Sequence, residues 1–235
     1  MASDKKWLDW VAPFVLGELP PPPARVLEIG CGPLGGLVPR LREQGYDAVG
    51  VDPEAPLADG FHQIPFEEYE PGHPFAVVVA SLSLHHVPDP EAAGDKIAAS
   101  LEPEGTVVVV ESAWERHDNA TARWWSARLR PPGDEPTFMH RHLGHWRESG
   151  LDWETYFRGW AEEHGMHPSS AVIAALRARF TQRSYSTGPY FFVELDGTSE
   201  ADERAAIEAG EVQPIGIRYV GSLRADPAPS VGDEG

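Results

Sequence analysis

The chain of 235 residues has a single cysteine, Cys31, which excludes an internal disulfide and any multi-cysteine metal site. Cys31 sits inside a glycine-rich turn, where a small residue fits, and that reading outweighs a reactive thiol. Positive charge is also scarce. Nineteen Lys and Arg face 37 Asp and Glu, for a net charge of −18. A surface so acidic repels phosphate backbones and anionic lipid, which argues against nucleic acid and membranes as partners. No apolar run reaches the roughly 18 residues that a membrane-crossing helix needs. The opening MASDKKWLDW lacks a signal-peptide pattern, so a cytoplasmic location is expected. What remains, 41% hydrophobic and 10% aromatic, is the composition of a globular domain with one good core.

The stretch around which the rest is arranged runs from Arg25 to Asp52. Val26, Leu27 and Ile29 form a short apolar run halted by Gly30-Cys31-Gly32-Pro33 and then Gly35-Gly36, the pattern of a buried strand ending in a glycine turn. Leu37 and Leu41 among charged residues predict a helix closed by Gly45, with Pro39 tolerable only in its first turn. Ala48–Val51 predicts a second strand, ending in Asp52 and Pro53. Glycines let backbone approach a ligand, and a helix N-terminus presents unpaired N–H groups. An acid about 20 residues on can accept ribose hydroxyls. A nucleoside-containing cofactor is therefore expected here. Gly30-x-Gly32-x-x-Gly35 also satisfies the dinucleotide fingerprint, so these residues alone leave NAD(P) open.

Along the chain, residues 5–18 predict a helix interrupted by Pro13, and Pro20–Pro23 a stiff connector. Trp7 and Trp10 read as packing residues before substrate contacts. A third strand is expected between Phe61 and Glu67, and a doubly buried one at Phe75–Ser81. Asp89-Pro90 predicts the start of a helix through Leu101, and Thr106–Val110 another buried strand. Strands alternating with helices at this spacing mean a parallel, doubly wound α/β sheet. Residues 113–187 differ, holding six of the eight Trp and six of the ten His. Helices are expected there at 118–130, 152–165 and 169–180. Tyr190–Leu195 predicts a strand, Thr198–Ala209 a helix, and Gln213–Leu223 an antiparallel strand near the sheet edge; 224–235 reads as a disordered tail.

With these motifs placed, the chain resembles class I S-adenosylmethionine-dependent methyltransferases, of the ubiquinone/menaquinone-biosynthesis-like (type 11) group. Glu28-x-Gly30-x-Gly32 matches the family's acidic-x-Gly-x-Gly motif, with Leu34 in place of its third glycine. Asp52 matches the acid that ends strand two, and Leu84-His85-His86-Val87-Pro88-Asp89 the stretch after strand four; the Asp often preceding that strand is Ala76 here. The resemblance covers 24–112 and 188–223. It implies a Rossmann-like seven-stranded sheet, mostly parallel with a last antiparallel strand, and a helical lid inserted at 113–187 between strands five and six. It also implies S-adenosylmethionine as cofactor, near Glu28, Gly30, Cys31, Gly32, Leu34, Asp52 and Pro53. Phe66 and Glu67 are expected around adenine, and Ser81 and Leu82 beside the sulfonium or adenine. Glu28 separates the two cofactors, since a carboxylate there repels a pyrophosphate and favours the ammonium of the methionine end.

Methyl transfer asks the protein mainly to align the acceptor and exclude water. His85 or His86 could serve as a base to an acceptor hydroxyl, against a purely structural role in starting the next helix. His140, His142 and His145 read as surface or lid contacts and not as a metal site, since the i, i+2 spacing does not put the first two on one helix face. Glu111 and Trp114 are expected at the entrance to the acceptor cavity, with at least one of Trp124 and Trp125 facing it. Trp153 and Trp160, on one helical stripe, are expected to build the lid's own core or a homodimer contact. A Trp-rich lid implies a small aromatic or apolar acceptor. An NAD(P)-dependent oxidoreductase and a non-methylating binder of the same cofactor are the competing readings.

Overall fold

Seven strands order the chain. The computed structural model describes residues 2–132 and 136–224, the first three of them as backbone only, so the tail lies, from residue 225, outside the described residues. Strands β1 (Arg25–Ile29), β2 (Asp47–Val51), β3 (Phe61–His62), β4 (Phe75–Ser81), β5 (Leu101–Ser112), β6 (Phe180–Gly188) and β7 (Gly216–Leu223) form one sheet, ordered β3-β2-β1-β4-β5-β7-β6. Pairing is parallel from β3 through β5, and β7 runs antiparallel to both β5 and β6. From β1 the chain builds outward to β3, then crosses back to lay β4 against the other side of β1. The C-terminal ends of β1 and β4 therefore flank the crevice where such sheets bind ligands.

Each strand splits its side chains between two cores, as period-two alternation requires. Val108 and Val110 of β5, with Val77 and Val79 of β4, pack under helices α1 (Ala2–Glu18) and α2 (Val38–Glu43). Val107, Val109, Val78 and Ala80 face the other way, toward α3 (Pro90–Ser100) and the insertion. The insertion carries α4 (Asn119–Ser126), α5 (Phe138–Ser149), α6 (Trp153–Glu163) and α7 (Ser169–Arg179), and α8 (Glu200–Glu208) follows β6. Pro39 sits in the first turn of α2, and Asp89 caps α3 by accepting from Glu91 N and Ala92 N. Asp118 and Asp152 cap α4 and α6 in the same way.

In its strands the structure departs from the sequence reading in four places. The expected third strand shrinks to Phe61–His62, because Pro65 offers no ladder donor and Phe66–Glu68 turn into 3₁₀ helix. Strand six is Phe180–Gly188, inside the stretch assigned to the lid; its TQRSYST core is polar because it is an exposed edge strand. Tyr190–Leu195 is not a strand. The buried carboxylate of Glu203 accepts from Tyr190 N (2.7 Å), Phe191 N (3.2 Å) and Phe192 N (2.7 Å), and 191–193 close into a 3₁₀ turn. Finally, β7 is antiparallel as expected but lies inside the sheet, with β6 outside it.

Candidate active site

At the ends of β1 and β4 opens a cavity of about 530 Å³. Its floor is the glycine loop. Gly30 has φ +79°, and a Cβ there would come within 2.3 Å of Ser83 Cβ, so only glycine lets the loop pass. Gly32 has φ +62° with open space where its side chain would be, leaving bare backbone facing the cavity. Leu82, at the end of β4, is one of two non-glycine described residues with positive φ (52°), fixed by its N–H to Val110 O at 2.8 Å. Backbone strain of this kind, of order 1–3 kcal/mol, tends to persist where a ligand site needs it.

Glu28 belongs to this floor, yet its role differs from the expected one. It is 1% exposed, and its Oε2 accepts from Leu37 N (2.7 Å) and Val38 N (3.1 Å), the free donors at the start of α2. Gly36 makes room for it, since a Cβ at that position would lie 2.5 Å from Glu28 Oε1. Burial pushes its carboxyl up to about 8, against the pull of those two N–H groups, with the charge of Asp52 adding to the rise. Glu28 thus builds the loop first. Burial likewise pushes the Cys31 thiol up to about 12, an unreactive group packed in the turn.

Asp52 sits at the tip of β2, half-buried, beside the cavity wall but not part of it. One oxygen accepts from Glu54 N at 2.7 Å, and the other accepts no hydrogen bond from the described residues. Pro53 is exposed next to it. Phe66 and Glu67 are not at the cavity. Phe66 is buried in the core and Glu67 is exposed, because the truncated third strand turns that segment away toward Lys96 of α3.

On the β4 side, Ser81, Leu82, His85 and His86 all line the cavity. His85 Nδ1 lies 2.6 Å from Glu111 Oε2, both side chains buried. Glu111 Oε1 accepts from Ser83 N (3.0 Å) and Leu84 N (2.8 Å), so a single residue at the end of β5 fixes both the turn and the imidazole on it. Glu111 accordingly stands behind the wall and not at an entrance, a correction to the sequence reading. The His86 ring, 4.1 Å from that of His85, has its pKa lowered by desolvation and by the neighbouring imidazole.

The insertion supplies an apolar wall. Trp114 lines the cavity and donates from Nε1 to His167 O at 2.9 Å. Trp153 and Phe157, stacked 4.9 Å apart, join it with Phe138 and Met139. Trp153 therefore serves both the lid core and the cavity. Trp124 and Trp125 do not reach the cavity: Trp125 is fully buried behind it, donating to His117 Nε2 at 2.6 Å, and Trp124 packs under Arg128. Helix α5 was invisible in the sequence, and it carries His140 in its capping box and His142 in the aromatic cluster, where His142 Nδ1 meets Tyr156 Oη at 2.8 Å. His142 is buried and makes its polar contact within the insertion, whereas His145 is exposed.

Trp7, read as a packing residue, lines the cavity beside Leu8 of α1, and His117 and Tyr190 are among the lining residues that sequence reasoning did not single out. Trp7 donates from Nε1 to Ser81 Oγ at 3.2 Å, and Arg218 stacks on Trp10 and Phe14 to hold α1 over the site. No periodicity signals such contacts, which join residues 74 or more positions apart. The Tyr190 hydroxyl is held well above its usual pKa by burial and by the charges of Glu194, Glu111 and Glu203.

Residues 3–181 match the family described as "Methyltransferase domain". A ubiquinone biosynthesis O-methyltransferase of Rhodopseudomonas palustris (strain TIE-1) is 32% identical over 98 residues, 36% of this chain, and the match spans only 38% of that relative's length. Its counterpart from Bradyrhizobium sp. (strain ORS 278) is 26% identical over 178 residues, covering 64% of this chain and 70% of the relative. Among solved structures, the N-methyltransferase NodS from Bradyrhizobium japonicum WM9, in complex with S-adenosyl-L-homocysteine, shares the fold at a TM-score of 0.52 and 15% identity, over 95% of this chain and 88% of that one.

Proposed function

Since the chain belongs to the methyltransferase-domain family over residues 3–181, we propose that it transfers the methyl group of S-adenosylmethionine to oxygen, nitrogen or carbon of a small aromatic or apolar molecule. One observation carries the reading: a single cavity joins the bare backbone at Gly32 to an aromatic wall, with His85 on it, held from behind by Glu111.

The residues fit the cofactor. The open backbone at Gly32, with the tight turn that Gly30 allows beside Ser83, would hold the methionine portion, and the unengaged oxygen of Asp52 would accept from the ribose. Ser81 and Leu82 would flank the adenosine. When bound, S-adenosylmethionine supplies an electrophilic methyl group on a positively charged sulfur. Trp7 and Leu8 cover the site and exclude water, while Trp114 and Phe157 orient a flat acceptor. With Glu111 ionised, the proton between it and His85 rests on Nδ1, leaving the Nε2 lone pair to take a proton from an acceptor hydroxyl or ammonium. A cytoplasmic acceptor belongs to the same proposal.

Titration calorimetry with S-adenosylhomocysteine and with NADH tests the cofactor, and preference for NADH would overturn the proposal. Labelled S-adenosylmethionine with a phenol and amine panel tests the transfer. His85→Ala should lower turnover by about 10²-fold or more while leaving S-adenosylhomocysteine affinity unchanged. Tight cofactor binding with no label transfer to any acceptor would favour a non-methylating binder.

A further inference from the structure

The insertion takes hold of His85 by its backbone. Glu111 fixes the imidazole from behind, Oε2 to Nδ1 at 2.6 Å, but the peptide that carries the ring needs a hold of its own. His85 lies in the 3₁₀ turn Leu84–His86, where a carbonyl is ordinarily met by the N–H three residues on. Here that residue is Pro88, which has no N–H. The His85 carbonyl accepts instead from His167 N, at 2.9 Å.

His167 belongs to the link between α6 and α7, residues 164–168. The turn Trp114–Arg116, which follows β5, grips that link from its other side. Trp114 Nε1 donates to His167 O at 2.9 Å. Glu115 accepts from Ser169 N (3.1 Å) and Ser170 N (3.3 Å), and so caps α7, whose own N-cap residue Pro168 offers no side-chain bond. His167 Nε2 lies 3.3 Å from Pro88 O, a further tie to the segment after His86. Through its N–H, His167 thus holds the turn that carries His85, and through its carbonyl it is held by Trp114.

A misplacement of about 1 Å at a reacting group can cost on the order of 10²-fold in rate, and contacts behind a site residue are what prevent it. We propose that Trp114 and Glu115 are positioning residues for His85, acting through His167, so that the α6–α7 link is the strut that aims His85 Nε2 at the methyl acceptor. The proposal rests on the methyl-transfer reading of this cavity, with His85 as the base. It gives Trp114 a task beyond the wall its ring provides, and it draws in Glu115, an exposed residue that does not line the cavity.

Amide exchange in the full chain, with neither cofactor nor acceptor, tests the strut. Glu115→Ala and Trp114→Phe each remove a hold on the link and leave Glu111 in place. Deuterium uptake at 82–87 and at 165–170 should become at least about threefold faster in each, as expected where hydrogen bonds of ordinary net strength are lost. Uptake in β1 and β2 should stay unchanged, which separates a loosened strut from a loosened fold. Glu115→Gln, whose amide oxygen still accepts, should behave like the unmodified chain. Turnover is followed with labelled S-adenosylmethionine and the phenol and amine panel. On whichever acceptor takes label, Glu115→Ala should lower kcat about fivefold or more, with KM within about twofold. In a His85→Ala background it should cost nothing further, because its route to the chemistry is gone. Unchanged uptake at 82–87 in both variants, or the same loss of kcat with and without His85, would overturn the proposal. Absence of label transfer to every acceptor would instead remove the methyl-transfer reading, and the exchange rates would still decide whether the strut exists.

Discussion

Glu28 shows what one residue can and cannot reveal in advance. Its type and place before the glycines were legible, because a carboxylate at a strand end beside Gly30 and Gly32 is a recognisable pattern. Its partners were not, because the N–H groups of Leu37 and Val38 reach it only after the loop has folded back over Gly36. The geometry has a consequence in pH. A carboxyl of ordinary value near 4.5 in the unfolded chain stands at about 8 when folded, so the folded state holds the proton more tightly. The stability this contributes is fully present below about pH 4.5 and is lost as pH rises through about 8. Glu28→Gln cannot ionise. Its melting temperature should therefore fall less than that of the unmodified chain between pH 5 and about 8.5. Thermal melts across that range check this, and parallel curves for the two proteins would contradict the assignment.

Among the elements, those with strong local signals were read correctly. Phe75–Ser81 is doubly buried and continuous, and Asp89-Pro90 starts α3 as its cap chemistry dictates. The errors share a cause: tertiary partners overrode local pattern. An edge strand exposed to water needs no apolar alternation, so β6 passed for part of the lid. The apolar run after Tyr190 looked like a strand, but Glu203 of α8 collects three of its N–H groups and bends it into a turn. Glu203→Ala leaves those donors unmet in the interior. A loss on the order of 3 kcal/mol or more in denaturant unfolding is expected, with Glu203→Gln milder because its amide oxygen still accepts. A loss under about 0.5 kcal/mol, the scale of a surface substitution, would mean the turn is held by packing alone.

For the whole molecule, the α/β sheet, mostly parallel with an antiparallel end, was legible, while the order of its last strands and the aromatic wall of the cavity were not. That wall is assembled from aromatic residues of separate helices, and amphipathic spacing says which face is apolar without saying what it meets. The same wall sets the acid limit of the protein. His117 and His142, buried among aromatic rings, have pKa values lowered by desolvation to about 3 and about 4. Unfolding frees both to charge near 6.5, so the stability they contribute is present above that pH and lost as pH falls toward their folded values. Glu28 acts in the opposite sense from about pH 4.5 to 8; below 6.5 the two imidazoles outweigh it and above 6.5 it acts alone, so the optimum set by these three groups lies near pH 6.5. Acid unfolding followed by tryptophan fluorescence should begin below about pH 6. His142→Phe, which cannot take up a proton, should move the midpoint to lower pH; a midpoint that stays or rises would show that other groups govern it.

The cavity draws its walls from Trp7 at one end of the sequence to Ile215 near the other, with β1, β4 and the insertion between. A ribosome delivers these contributions in order, with roughly 10–40 s between the first and the last. A partial product that ends before Tyr190, however well it forms its first strands, lacks Tyr190, Phe191 and Ile215 of the lining. Occupancy of the cavity consequently reports that synthesis has passed Ile215, and a chain truncated before Tyr190 should be left both without a ligand and with its aromatic wall open to proteolysis.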